Sequence, residues 1–118
     1  MLAKLFSKKQ LGDDAERAAE RYLITHGLSL VERNFRTRFG EIDLIMKDGD
    51  TLVFIEVRLR KNDDFGGAAA SIGAAKQRRI VAAAQQYIAG LRHPPPCRFD
   101  AVLMVGTKIE WLKDAFGA

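Results

Sequence analysis

Residues 41–60, EIDLIMKDGDTLVFIEVRLR, decide how this chain folds. The alternation from Glu41 to Met46 predicts a strand with Ile42, Leu44 and Met46 on one face and Glu41, Asp43 and Ile45 on the other. Thr51 to Leu59 is almost continuously apolar and β-branched, the pattern of a strand covered on both faces. Asp48-Gly49 between the two is a hairpin signal. Glu56 interrupts the most apolar run of the chain. A lone carboxylate buried there is costly, so it must be protonated, paired with a cation or bound to a metal.

The hairpin register determines what Glu56 meets. A two-residue Asp48-Gly49 loop sets Glu41 opposite Glu56 and Asp43 one diagonal step away, whereas a four-residue loop from Asp48 to Thr51 sets Asp43 directly opposite. An odd loop separates Asp43 and Glu56 onto different faces. Either even register gathers carboxylates, which repel one another unless protons or cations intervene, and hard oxygen donors of this kind suit Mg²⁺ or Mn²⁺. The plainer reading is an ion pair from Glu56 to Arg58, about 6.6 Å further along the same face of the strand, or to Lys76.

Outward towards the N-terminus, LSLVERNF reads as a strand and is followed by Arg36, Arg38, Phe39 and Gly40. Before it, Leu11, Ala15, Ala18, Ala19, Tyr22 and Leu23 recur at helical spacing, with Asp13 and Asp14 favourable at the start and Gly27 as a stop. Residues 1–10 read as a flexible basic arm and 11–118 as the folded domain. On the helix, Glu16 borders the apolar stripe within reach of the carboxylates, while Glu20 falls further towards solvent.

Towards the C-terminus, a polar, glycine-rich loop from Lys61 to Gly67 precedes a second helix carrying Ile80, Ala83, Ala84, Tyr87 and Ile88 and ending at Gly90. Lys76 lies within its apolar stripe and points inward, and Arg78 and Arg79 lie outside it. An inward lysine needs a partner: a snorkelling stem, an acid, or a phosphate. The loop LRHPPPC precedes two strands, RFDAVLMV and IEWL, around a Gly106-Thr107 turn. Arg98 and Asp100 share a face and read as a local ion pair with a supporting role. Trp111, Phe35, Phe39 and Cys97 read as structural, Phe35 and Phe39 being core or stacking groups. The order is helix, three strands, helix, two strands, an α/β domain.

Composition narrows the function. With 118 residues and 47% hydrophobic content there is one domain with a sizeable core. The net charge of +4 permits contact with phosphates without demanding it. One cysteine excludes an internal disulfide framework, and two separated histidines leave no soft-ligand zinc cluster, so a reducing compartment, the cytoplasm, is expected. No apolar run approaches the roughly 18 residues of a membrane span, no Gly-Lys phosphate loop is present, and neither export nor membrane insertion is expected.

Taken together, GEIDLI, FIEVRLR and Lys76 resemble the restriction-endonuclease-like, PD-(D/E)XK, nuclease superfamily, in which an acid on one strand is followed by Glu-x-Lys on the next. Over nearly its whole length the chain resembles the YraN-like uncharacterised bacterial family. That likeness is carried by Gly12 and Glu16, Arg33-Asn34-Phe35-Arg36, Gly40-Glu41-Ile42-Asp43, Phe54-Ile55-Glu56-Val57-Arg58, Lys76 and Arg98-Phe99-Asp100. In layout it is similar to archaeal Holliday-junction resolvases.

The resemblance implies a restriction-endonuclease-like core with a central mixed sheet flanked by helices and a metal-dependent phosphodiesterase site. Asp43 and Glu56 would ligate Mg²⁺ or Mn²⁺, with the Val57 carbonyl as a third donor. Glu16 would match the acid supplied by the first helix, and Glu41 and Asp100 would support. Arg58 and Lys76 would face the scissile phosphate as a metal-activated water attacks it in line. Arg58 stands where the pattern has lysine, and a guanidinium clamps a phosphate but does not act as a base. Arg36, Arg38 and Arg60 are the expected nucleic-acid contacts. The expected partner is nucleic acid, DNA in first place, with a homodimer open. Two further readings stand beside the nuclease: a nucleic-acid-binding module without cleavage, and a buried ion network.

Overall fold

Strands Glu41–Asp48 (β2) and Thr51–Arg60 (β3) form an antiparallel hairpin at the heart of the sheet. The computed structural model describes residues 8–60 and 72–117. Upstream lie helix Lys8–Thr25 (α1) and strand Ser29–Arg36 (β1); downstream lie helix Ala74–Ala89 (α2) and strands Cys97–Val105 (β4) and Lys108–Phe116 (β5). The sheet has five strands in the order β1-β2-β3-β4-β5, and only β3 and β4 run parallel. A parallel neighbour requires a crossover, which α2 provides. The product is a single α/β domain with a mixed sheet between two helices.

Each helix covers one face. Ala15, Ala19 and Leu23 of α1 pack on Leu44, Met46, Val53, Ile55, Val102 and Met104. Ile80, Ala83 and Ala84 of α2 pack on Ile42, Ile45, Leu52, Phe54, Phe99, Ala101 and Leu103. Small alanines in both stripes let the helices approach the sheet closely, and Phe54 on the α2 side with Val53 and Ile55 on the α1 side, each at 0% exposure, shows β3 covered on both sides as its run implied. Among the described residues no helix is long and apolar enough to cross a membrane.

Several boundaries differ from the sequence expectation. Helix α1 begins at Lys8, so Lys8–Gln10 are helical rather than part of an arm, and Asp13 and Asp14 fall beyond the first turn. The rest of the expected arm, 1–7, and the expected loop from Lys61 to Gly67 lie outside the described residues. Gly27, at φ 98, does stop the helix: its N–H donates to the Ile24 carbonyl and that of Leu28 to the Leu23 carbonyl, both at 3.0 Å, which closes the orphaned last turn.

The hairpin pairs Asp48 with Thr51, leaving Gly49 and Asp50 as its two-residue loop with Gly49 at φ 61. The register is therefore the one that sets Asp43 directly opposite Glu56, closed one pair tighter than the four-residue loop. The expected alternation holds on only part of β2. Leu44 and Met46 face α1, but Ile42 joins Ile45 on the α2 side. The pleat changes at Asp43, where the β2–β3 ladder ends at Leu44 and Ile55. On the other flank Asn34 of β1 adopts φ 51.

Candidate functional site

The site lies where β2 and β3 part. One step beyond the Leu44–Ile55 pair, Asp43 stands opposite Glu56, and its Oδ2 accepts the Val57 main-chain N–H at 2.8 Å. A side chain thus takes the acceptor role that a strand carbonyl fills elsewhere, which ends the ladder and turns Ile42 to the other face. Glu56 is 3% exposed and points to the α2 side, with Lys76 Nζ 3.6 Å and Arg58 Nε 3.9 Å from its Oε2. Lys76 does point inward from the start of α2, and both partners expected for Glu56 are present. Arg58 Nε is buried without a hydrogen-bond partner, so the longer pair holds charge without holding direction.

Asp43 is the electrostatic centre. Burial first, and then the charge of Glu56, pushes its carboxyl up to about 7, against the donated Val57 N–H, which acts in the other direction. On the α1 side, burial likewise raises Glu16, opposed by the Asn34 amide at 2.8 Å and reinforced by neighbouring Asp43. Asp43 is within side-chain hydrogen-bonding reach of both Glu16 and Glu56. The three come from different elements, α1, β2 and β3, and Asp43 interacts with each of the other two. Among the described residues no three His, Cys, Asp or Glu side chains converge as a metal cage.

Asn34 escaped the sequence reading as a site residue. Its amide donates to Glu16 at 2.8 Å and, more weakly, to Glu41 at 3.4 Å, tying α1 to β2 across β1. The available signal was an asparagine within a strand, since asparagine is poor there and tolerates the left-handed region. Glu41 also pairs with Arg36 at 3.3 Å.

The placement of Glu20 near solvent is overturned. It is 7% exposed and receives two hydrogen bonds from Arg33, Nε at 2.7 Å and Nη2 at 2.8 Å, which hold its carboxyl below the usual range. A helical wheel shows no such lid, because Arg33 belongs to β1. Asp100, fully buried, accepts from Arg98 Nε at 2.8 Å and Nη2 at 3.0 Å, from the Trp111 indole at 2.9 Å and from the Asp114 N–H at 2.9 Å. That web ties β4 to edge strand β5 on the face covered by α1. Arg98 also reaches Asp48 at 3.1 Å.

The expected nucleic-acid contacts are dispersed. Arg36 is exposed and paired with Glu41, Arg38 lies over the Phe39 ring, and Arg60 is half-buried at the end of β3 opposite Val105. Phe35 packs edge-on against Tyr87 as core, whereas Phe39 is exposed and is not. Cys97 is exposed with its thiol pushed up by local burial, the opposite of an activated nucleophile.

Fold and site together define a small α/β protein with buried carboxylates and two cations at the opening between its central strands. The family described as Uncharacterised protein family UPF0102 matches residues 15–104. A UPF0102 protein of Methylobacillus flagellatus is 56% identical over 114 residues, covering 93% of this chain and 99% of its own length. Relatives from Nitrosospira multiformis, 57% identical over 108 residues, and Dechloromonas aromatica, 58% over 107, cover 89% and 91% of this chain and 91% and 88% of their own lengths. The chain belongs to the UPF0102 family, the YraN-like family its motifs resemble.

Proposed function

We propose that this protein is a divalent-metal-dependent nuclease acting on DNA or structured nucleic acid, built on a restriction-endonuclease-like fold. One observation carries the reading: Asp43 and Glu56 meet just beyond the end of the β2–β3 ladder, with Lys76 and Arg58 beside Glu56. The residues fit Mg²⁺ or Mn²⁺ by the chemistry of their donors, since two hard carboxylates are held together at the expense of ionising one of them. Asp43, Glu56 and the Val57 carbonyl would hold the ion, although among the described residues no three His, Cys, Asp or Glu side chains converge as a cage. When bound, such an ion supplies a Lewis acid and lowers the pKa of water.

The chain's own groups do the rest. Lys76 is held near Glu56, where its ammonium would meet a phosphate oxygen. Arg58 acts as a clamp and not as a base. Glu16, positioned by Asn34, borders Asp43 and orients its carboxylate. A second reading, a nucleic-acid-binding module on the same fold without cleavage, is favoured by arginine at position 58 where the superfamily pattern has lysine.

Calorimetric titration of Mn²⁺ into the wild type, Asp43→Asn and Glu56→Gln tests the site, followed by nicking of supercoiled plasmid with Mn²⁺. Binding lost in both variants together with nicking supports the nuclease. Nucleic-acid binding without scission selects the second reading. No Mn²⁺ uptake by the wild type, free or with DNA, overturns the metal site.

A further inference from the structure

The loop between β1 and β2 carries an exposed aromatic that the carboxylate site does not use. Phe39 is 45% exposed, and the Arg38 guanidinium carbon lies 5.0 Å from its ring centroid. The loop that presents it is held at both ends. Thr37 Oγ1 accepts the N–H groups of Phe39 at 3.0 Å and Gly40 at 3.2 Å, and the Thr37 N–H donates to the Gly40 carbonyl at 2.9 Å. Gly40 lies so near α2 that a Cβ there would sit 2.7 Å from the Arg79 carbonyl oxygen. Phe39 is therefore held in place against the side of α2, where Arg38, Phe39, Ala82, Gln85 and Gln86 line an open cleft.

The charge of this surface is one-sided. Helix α2 reads AAKQRRIVAAAQQYIA, with no acidic residue, and exposes Arg78 and Arg79. An exposed ring with a guanidinium over one face, cations one turn away and two exposed amides matches the parts of an unpaired nucleotide. The base stacks on the ring, phosphate meets the cations, and base-edge donors and acceptors meet the amides. A lipid surface would call for several large apolar side chains around Phe39; the cleft's other lining residues are Arg38, Ala82, Gln85 and Gln86. The other exposed large hydrophobics, Leu11, Ile24, Val31 and Leu59, do not line it.

We propose that Phe39, with Arg38 and the Gln85–Gln86 face of α2, is a stacking site for an unpaired base of a nucleic-acid strand. Gly40 leads directly into Glu41 and Asp43, and Lys76 lies one turn of α2 before the Arg79 carbonyl that the loop abuts. A strand seated on Phe39 thus has its backbone beside the carboxylate site. The inference rests on the nucleic-acid reading of that site and adds the substrate class, a strand with unpaired bases.

Fluorescence anisotropy in EDTA with a labelled oligothymidylate and a blunt duplex of equal length tests the proposal without metal or cleavage. The proteins are wild type, Phe39→Ala, Phe39→Trp and Arg38→Ala. The wild type is expected to prefer the single strand, Phe39→Ala to bind it about tenfold or more weakly, and Phe39→Trp to retain it. Arg38→Ala is expected to weaken binding and flatten its salt dependence by about one phosphate contact. Phe39→Ala binding like the wild type, equal preference for the duplex, or no strand binding by the wild type overturns the stacking site. The Mn²⁺ titration decides the carboxylate site separately, so the two failures are distinguishable.

Discussion

Asp43 Oδ2 accepts the Val57 main-chain N–H at 2.8 Å across the point where the β2–β3 ladder ends. The carboxylate is thereby fixed by backbone, not by a flexible partner, and cannot retreat from Glu56. Its carboxyl is raised from 3.8 to about 7, chiefly by burial and then by Glu56. The folded-state value exceeds the unfolded one, so the associated stability is fully present below 3.8 and is lost as pH rises through about 7. In chelator, urea unfolding of the wild type should show lower stability at about pH 8 than at about pH 5, by on the order of 2 kcal/mol. Asp43→Asn keeps an acceptor for Val57 and removes the titration, so its pH slope should be shallower. Identical slopes would contradict this account.

Lys76 and Glu56 form a half-buried pair at 3.6 Å, with the Lys76 side chain 37% exposed and that of Glu56 4%. Because the lysine is partly hydrated, a double-mutant cycle with Lys76→Met and Glu56→Gln should give a coupling of about 1 kcal/mol, not the several expected for a fully buried pair. Zero coupling in urea melts would mean that Arg58 alone neutralises Glu56.

Asn34 combines a left-handed backbone with a bridging amide. Asn34→Gly preserves the first and removes the second; Asn34→Ala removes both. Ala should therefore cost about 1 kcal/mol more stability than Gly, while the two should weaken Mn²⁺ binding equally because both release Glu16. A loss of Mn²⁺ affinity confined to Ala would assign the effect to the backbone.

Asp100 gathers four donated hydrogen bonds at 0% exposure. Asp100→Ala strands the Arg98 charge and the Trp111 indole, so a loss of about 3 kcal/mol or more is expected. Trp111 is the sole tryptophan, and its emission reports directly on the web. Unchanged emission with unchanged stability would show that the web is dispensable. Mn²⁺ affinity should stay within about twofold in a variant that still folds, since Asp100 serves β5 and not the carboxylates.

Gly40 faces the Arg79 carbonyl at a spacing no Cβ tolerates. Gly40→Ala should push the β1–β2 loop off α2, costing about 1–3 kcal/mol and accelerating amide exchange at Phe39 and Gly40. Wild-type exchange there would show that the loop absorbs the methyl without moving.

Sequence alone determined the element order, the two-sided cover of β3 and the inward aim of Lys76, because these follow from local period and composition. For Asp43 and Glu56 it left two even hairpin registers and an odd one open, and only the structure selected the even register that pairs Asp48 with Thr51. The tertiary structure decided the rest. The pleat change at Ile42 comes from Asp43 bonding a neighbouring strand, and no period within β2 encodes that bond. The burial of Glu20 depends on Arg33, which belongs to β1 and so is absent from any helical wheel of α1. Asn34 acquires its role from Glu16 and Glu41, and Phe39 its exposure from the docking of Gly40 on Arg79. Periodicity reports which face a residue occupies; which partner completes a buried charge is set by elements that meet only when the chain has folded.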